Sequence, residues 1–319
     1  MSVAKKKEAG TSPSWKTRFW AVVQYELLWN IRKKKFIGMV IVAFVFSTLG
    51  LVLPVILSNS MGQSLEPNPD YAVSSSPGAF GFFLFALVTV MNSISGEFES
   101  GTIVPLLTKP VSRTMVFLGK LFAAFLTLLS VYAILYVYTT IGGAIVYGPQ
   151  NNLHLVPLSL LGSIISTFVW IALVLAIGSI SKSSLIAALT AFGIFFALLI
   201  SSPIVSVFSD QAWILNYFPG SGATGTLASA SSGQGLIPAK SVSTGTDNIA
   251  ANLINFIFYP SANVNFSKIS ILQPGQPAAI LYTESLSLIL FRSIAIALAY
   301  IFAFSFIAWF GLKRAQVSE

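Results

Sequence analysis

The sequence predicts an all-α membrane protein with six transmembrane helices, and three observations carry that prediction. Of its 319 residues 55% are hydrophobic and only 9% charged, against about 25% charged in soluble domains. Apolar runs of roughly 20 residues, the length that crosses a bilayer core, recur six times. The basic residues gather at alternate connections between those runs. A water-soluble fold of this composition would display large apolar patches, whereas helices facing lipid have no such difficulty. Cysteine is absent and His154 is the single histidine, so neither a disulfide framework nor a thiolate or imidazole metal cluster is expected. The net charge of +8 would suggest nucleic acid in a soluble chain. Here the placement of the charges explains it, and no nucleic-acid partner is expected.

The elements follow in order. A helix over 14–34 carries Trp15, Trp20 and Trp29 beside Lys16, Arg18 and Arg32, with Phe19, Val23, Leu27 and Ile31 as an i, i+4 stripe flanked by Lys16, Gln24 and Asn30. Tryptophan among cations suits the membrane interface. Such a helix is either a simple anchor or an interfacial helix that also docks a partner. Span one, 36–57, has no charge and 15 Leu, Ile, Phe or Val residues. It is too long for a signal-peptide core and is expected to be retained. Span two covers 79–95. Span three, 115–147, is longer than one bilayer needs, implying tilt or a protruding end. Span four, 155–180, and span five, 185–208, are separated only by 181–184, and span six covers 285–312.

Between spans five and six, 209–284 is rich in Ser, Thr, Asn, Gly and Pro but holds the apolar stretch 253–259, which predicts a small structured extracellular cap rather than a linker. Asn265-Phe-Ser267 within it is a glycosylation sequon, a weak three-residue signal. The organisation is therefore an N-terminal tail and interfacial helix (1–35), spans one to five (36–208) with a loop over 95–119, the outer segment (209–284), and span six with a tail (285–319). No internal repeat is evident.

Lysine and arginine set the orientation. Fifteen of the 18 basic residues lie in the N-terminal segment, the loop after span two, the turn after span four, or the C-terminal tail. The short loops at 58–78 and 148–154 have none. Both termini are therefore expected in the cytoplasm, and the chain in the cell membrane among lipids.

The loop after span two holds most of the candidate functional residues. Thr102 is a good N-cap, Pro105 falls in a first turn, Pro110 ends a short helix, and Ser112 can cap span three. Leu106 and Leu107 would then sit on a surface flanked by Glu97, Glu99, Lys109 and Arg113. An apolar pair ringed by both signs of charge suits docking, although a solvated loop has the same composition. Arg292, about eight residues inside span six, either snorkels to outer headgroups or lines a pathway, meeting an anionic group or an internal acid. Asn92 is either a boundary or a lining residue. The ten acids all fall in loops, termini or the N-terminal helix, which argues against a proton-driven carrier. No phosphate-cradling Gly-x-x-x-x-Gly-Lys-Ser/Thr loop occurs, so the chain itself is expected to bind no ATP. No catalytic or metal constellation occurs either.

The same loop carries a resemblance. Ser95-Gly-Glu97-Phe-Glu99-Ser-Gly101-Thr102, then Leu106-Leu107-Thr-Lys109-Pro110-Val-Ser-Arg113, then Phe117-Leu-Gly-Lys120 resembles the link between spans two and three in permease subunits of ABC-2 type transporters. The six spans, the N-terminal helix (with Trp20, Glu26 and Arg32) and the 177–185 link are similar to that family more loosely. The long segment before span six departs from it. The resemblance implies a connecting helix at the N-terminus and a coupling helix at about 102–108 seated in a groove of an ATP-binding subunit. Glu97 and Glu99 would pair with basic residues there or on the connecting helix, and Lys109 and Arg113 with acidic ones. It also implies two ATP-binding cassette subunits carrying ATP and Mg, a second permease copy or homologous permease, and export. The competing readings are a secondary carrier, a mechanotransmitter or scaffold acting through the outer cap, and a membrane-embedded enzyme.

Overall fold

The computed structural model describes residues 14–32, 34–62, 65, 67–101, 112–209, 211–227, 241–267 and 280–314. Six helices are long and apolar enough to cross a membrane: Phe36–Ser60, Gly78–Glu99, Arg113–Tyr147, Leu153–Ser181, Ser184–Ser206 and Leu286–Arg314. The chain is thus a multi-pass membrane protein, mostly helical, with both ends on one face, the termini side. Among the described residues the α-helices are α1 (Trp15–Arg32), α2 (Lys35–Ser60), α3 (Tyr71–Ser74), α4 (Gly78–Val90), α5 (Ser95–Glu99), α6 (Arg113–Tyr147), α7 (Val156–Ser181), α8 (Ser184–Phe208), α9 (Ile249–Phe258) and α10 (Leu286–Arg314).

Helix α1 turns into α2 at Lys34, which takes the left-handed conformation (φ 57°). In α2 the helical period separates two stripes: Met39, Ala43, Ser47 and Leu51 are buried, while Ile37, Ile41, Val45, Leu49 and Leu53 are exposed. The first stripe packs on α6, where Gly142 leaves room for the Leu51 side chain. The second crossing lies where the sequence placed it and is interrupted near its termini-side end. Helix α4 ends at Val90 and α5 begins at Ser95. The Ser93 amide donates to the Val90 carbonyl at 2.9 Å in the intervening turn, and Ser95 Oγ donates back to the Met91 carbonyl at 2.8 Å.

Helix α6 has 35 residues, about 52 Å at ~1.5 Å per residue, and its surplus length lies on the termini side. There Ser112 caps it, accepting from the Met115 amide at 3.2 Å, as its sequence anticipates. Helix α7 is the centre of the fold: Val169, Trp170, Ile171 and Ala172 are all fully buried. Helix α10 runs beside it, close enough that a Cβ on Gly311 would fall 2.6 Å from Ser179 Oγ.

The outer segment adds a four-stranded antiparallel sheet to the helical fold. Its strands are β1 (Thr224–Leu227), β2 (Ser241–Ser243), β3 (Asn263–Ser267) and β4 (Ile280–Ser285), in the order β2-β1-β3-β4. Strand β4 leads directly into α10. Asn265 of the sequon sits within β3, its carbonyl oxygen accepting from Thr283 Oγ1 at 2.9 Å.

Not all of this segment stands outside the helices. The turn Thr246–Asn248 and α9 descend along α7. Ser166 Oγ donates to the Thr246 carbonyl at 2.8 Å, and Trp170 Nε1 donates to Asp247 Oδ1 at 3.0 Å. Trp170 is fourteen residues past Val156 at the start of α7, about 21 Å along the axis at ~1.5 Å per residue. The turn therefore reaches the middle of the crossing.

Irregular backbone is tolerated at that depth only where protein satisfies its polar groups, and here it does. Thr244 N donates to the Ala223 carbonyl, Gly245 N to that of Ser221 and Asp247 N to that of Gly220. Ser293 Oγ of α10 donates to the Thr244 carbonyl at 2.6 Å. The two chain passes touch backbone to backbone, and a Cβ on Gly245 would overlap the Gly220 carbonyl.

Gly162 is where α9 rests on α7. A Cβ there would lie 2.6 Å from Ala250 Cα, so Gly162→Val forces backbone apart. Such overpacking should cost about 1–3 kcal/mol or more. The cost is read as a lowered unfolding midpoint in detergent. Leu161→Ala, one residue round on the exposed face, should change it by less than about 0.5 kcal/mol. Equal effects would show that α9 is not seated there.

Candidate functional site

Three attachments surround the two ends of the loop singled out by sequence. The first is a buried ion triad. Lys120 Nζ of α6 lies 2.5 Å from Glu26 Oε1 of α1 and 2.7 Å from Glu97 Oε1 of α5. The Lys120 side chain is 2% exposed, that of Glu26 8% and that of Glu97 17%. Its position follows from the neighbouring glycine. A Cβ on Gly119 would be 2.6 Å from Val22 Cγ1, so only glycine lets α1 approach α6 closely enough for Lys120 to span the gap. The buried stripe of α1 is Val23, Glu26 and Asn30, which is more polar than the stripe expected. Trp20 remains half exposed, meeting Phe122 at a centroid distance of 6.4 Å, and Arg32 is exposed.

The second attachment runs through Glu99. It accepts from Ser183 Oγ at 2.9 Å, from the Ser184 amide at 2.8 Å and from Ser184 Oγ. A carboxylate here satisfies open amides at the first turn of α8 and complements the helix dipole. Lys182 of the same turn lies 5.8 Å from the centre of the Phe98 ring. The third is Arg113, whose Nη1 donates to the Lys313 carbonyl at 2.8 Å and the Leu312 carbonyl at 3.3 Å. It holds the open C-terminal end of α10 to the start of α6.

These contacts give each of the three residues a partner inside the chain. Glu97 meets Lys120 of span three rather than a cation on the connecting helix. Glu99 meets backbone and hydroxyls at the span four–five turn. Arg113 meets the helix-terminal carbonyls of α10. Other helices of the same chain supply partners that a linear reading of the loop does not show. Gly101 takes φ 67°, a left-handed exit from α5 that glycine adopts without strain. Thr102, Leu106, Leu107, Lys109 and Pro110, and with them the short helix expected at about 102–108, lie outside the described residues.

The two candidates for pathway lining part company. Asn92 sits half-buried in the turn between α4 and α5 with its carbonyl oxygen unpaired. Arg292 neither snorkels nor stands alone. Its Nη1 and Nη2 donate to Glu284 Oε1 and Oε2 of β4 at 2.9 and 2.7 Å, the internal-acid alternative. Both side chains are under 20% exposed. Arg292→Met should therefore destabilise the β4–α10 junction by about 2–3 kcal/mol. Glu284→Gln with Arg292→Met should recover part of the loss. A change under about 0.5 kcal/mol, as for an unpartnered surface residue, would remove the pair from this role.

Asp247 is the residue the sequence hid. It falls in a loop by hydropathy, yet it is 3% exposed and sits beside Trp170 at mid-span depth. The expectation that no acid lies among the helices is thereby overturned. The available signal was Gly-Thr-Asp-Asn preceding an apolar helix, which reads equally well as a surface turn. A cavity of about 540 Å³ adjoins it, bounded by Trp170, Phe195, Ser202, Thr226 and Asp247 among others. Asn92 and Arg292 are not part of its lining. Among the described residues no group of three or more acids, histidines or cysteines could hold a metal ion.

Six crossings, a half-buried N-terminal helix clamped beneath the third, and a cavity under a re-entrant outer segment define a membrane permease. The chain belongs to the ABC-2 family: the sequence model for ABC-2 family transporter proteins matches residues 20–316. Comparison with curated proteins gave no match. The protein is thus a permease component of an ABC transporter, belonging to its transport part rather than its catalytic part.

Proposed function

We propose that this chain is the membrane-spanning half of an ATP-driven exporter in the cell membrane, with both termini in the cytoplasm. Two separate ATP-binding cassette subunits would drive it, and a second copy of the chain or a homologous permease would complete it. ATP and Mg belong to those partners. The 102–111 segment is the contact with the ATP-binding subunit, with Leu106 and Leu107 as its apolar centre and Lys109 at its rim.

One observation carries this reading. The helices on either side of the segment, α5 and α6, are joined to each other and to α1 through Lys120. Glu99 and Arg113 tie the same two ends to α8 and α10. These ties give a push on the segment a route to several helices at once. It moves spans two and three together with α1, as a coupling element requires. The basic excess on this face agrees with a cytoplasmic side.

Leu106→Glu with Leu107→Glu is the test, because it spares the buried attachments. The expected result is a folded, membrane-inserted permease that no longer co-purifies with its ATP-binding subunit or stimulates ATP hydrolysis. Unchanged co-purification and stimulation would place the contact elsewhere. A wild-type protein that recruits no ATP-binding subunit would favour a scaffold working through the outer segment.

A further inference from the structure

We propose that the cavity beside Asp247 binds an organic cation, an ammonium-bearing molecule with an apolar body. The proposal rests on the permease reading above and supplies a ligand class for it. The volume of about 540 Å³ falls within the roughly 300–1,000 Å³ typical of small-molecule sites.

The carboxylate gives the sign of the charge. Asp247 Oδ1 accepts from Trp170 Nε1 at 3.0 Å and lies 3.5 Å from Thr246 Oγ1. Its Oδ2 is buried without any hydrogen-bond partner, although Asp247 lines the cavity. An acceptor left open at that depth is costly, and a ligand that donates to it removes the cost. The aromatic rings beside it favour a cation further. Trp170 and Phe195 both line the cavity, their rings 5.4 Å apart in an edge-to-face arrangement, and ring faces attract ammonium groups.

The remaining lining excludes the other classes. Among the described residues it contains no lysine, arginine or histidine to offset Asp247 for an anion. A purely apolar molecule would leave Oδ2 open. A bare inorganic cation would leave most of the volume unfilled and find one carboxylate only. Ser202 and Thr226 supply neutral hydrogen bonding for the rest of an amphiphile. Leu199 and Pro203 line the cavity and are also exposed along α8, so the site borders the bilayer, where such molecules concentrate.

The test is equilibrium binding of radiolabelled n-octyltrimethylammonium to the full-length protein in zwitterionic nanodiscs, with empty discs subtracted and choline chloride excluded from the buffer. Binding should saturate, and n-octylammonium should displace the probe while n-octanol does not. Asp247→Asn, which keeps the acceptor for Trp170, should weaken binding about ten- to a hundredfold, the worth of a hydrogen bond to a charged group. Ser202→Leu, which fills the cavity and leaves the carboxylate untouched, should abolish it. Absence of saturable binding, equal displacement by n-octanol, displacement by millimolar sodium, or unchanged affinity in Asp247→Asn would each overturn the proposal. If Asp247→Asn fails to fold, the Ser202→Leu result and the octanol comparison on wild type still decide. Co-purification of the ATP-binding subunit is scored on the same preparations. Its loss counts against the permease–ATPase reading, whereas its presence without cation binding counts against this proposal alone.

Discussion

Lys120→Met should cost about 3–5 kcal/mol of stability, the range for removing one partner of a buried ion pair. The ammonium sits 2.5 Å from Glu26 and 2.7 Å from Glu97. Without it two carboxylates remain buried side by side with no cation between them. The expected measurement is a lowered midpoint in an equilibrium unfolding titration in mild detergent. It should be accompanied by increased proteolysis after Lys16 and Arg18, as α1 leaves α6. Adding Glu26→Gln and Glu97→Gln should recover most of the loss, because a neutral trio can be nearly as stable as the ionic one. Lys120→Arg is not a safe substitute: the guanidinium is larger and planar, and the space beside Gly119 is already filled by Val22. A Lys120→Met protein within about 1 kcal/mol of wild type would mean that the triad is a weak contact, below the usual cost of breaking a buried pair.

Trp170→Ala should be comparably damaging, at about 3–5 kcal/mol. The side chain is fully buried and meets Phe83 at 5.6 Å and Phe195 at 5.4 Å between ring centres. Between helices in lipid the water-transfer part of that loss shrinks, because lipid tails are as apolar as the core. The cavity term and the lost ring contacts remain. A second penalty comes from Asp247, which loses its indole donor, at about 1–3 kcal/mol for a stranded buried acceptor. Trp170→Phe separates the two, since it keeps most of the volume and removes only the donor. Pairing it with Asp247→Asn should give strong non-additivity, as expected for residues in direct contact. Additive effects would show that the re-entrant turn does not depend on this bond.

The two predictions concern the termini side and the middle of the molecule, and the sequence disclosed those regions unequally. The 95–120 segment stood out as punctuated, charged and similar to a family pattern, and that family assignment holds from 20 to 316. Ser112 was legible as a cap because capping is local. The partners of Glu97, Glu99 and Arg113 were not, because each lies on another element: Lys120 in α6, Ser183 and Ser184 at the start of α8, and the last carbonyls of α10. Arg292 could be narrowed to two outcomes, and Glu284, eight residues away, decided between them.

What the sequence determined by itself was the number of crossings, the clustering of basic charge on one side of them, and the place of the segment between spans two and three as a distinct element. Hydrophobic run length and charge placement are properties of single segments judged against lipid, so no fold is needed to read them. Tertiary structure alone decided that the second crossing is broken, that Lys120 joins three helices, and that Asp247 lies at mid-span depth. Hydropathy assigns a polar turn to water. Only the hydrogen bonds from α7, α10 and the 220–223 pass, and the room left by Gly162, make the middle of the protein a better solvent for Thr246 and Asp247 than water outside it.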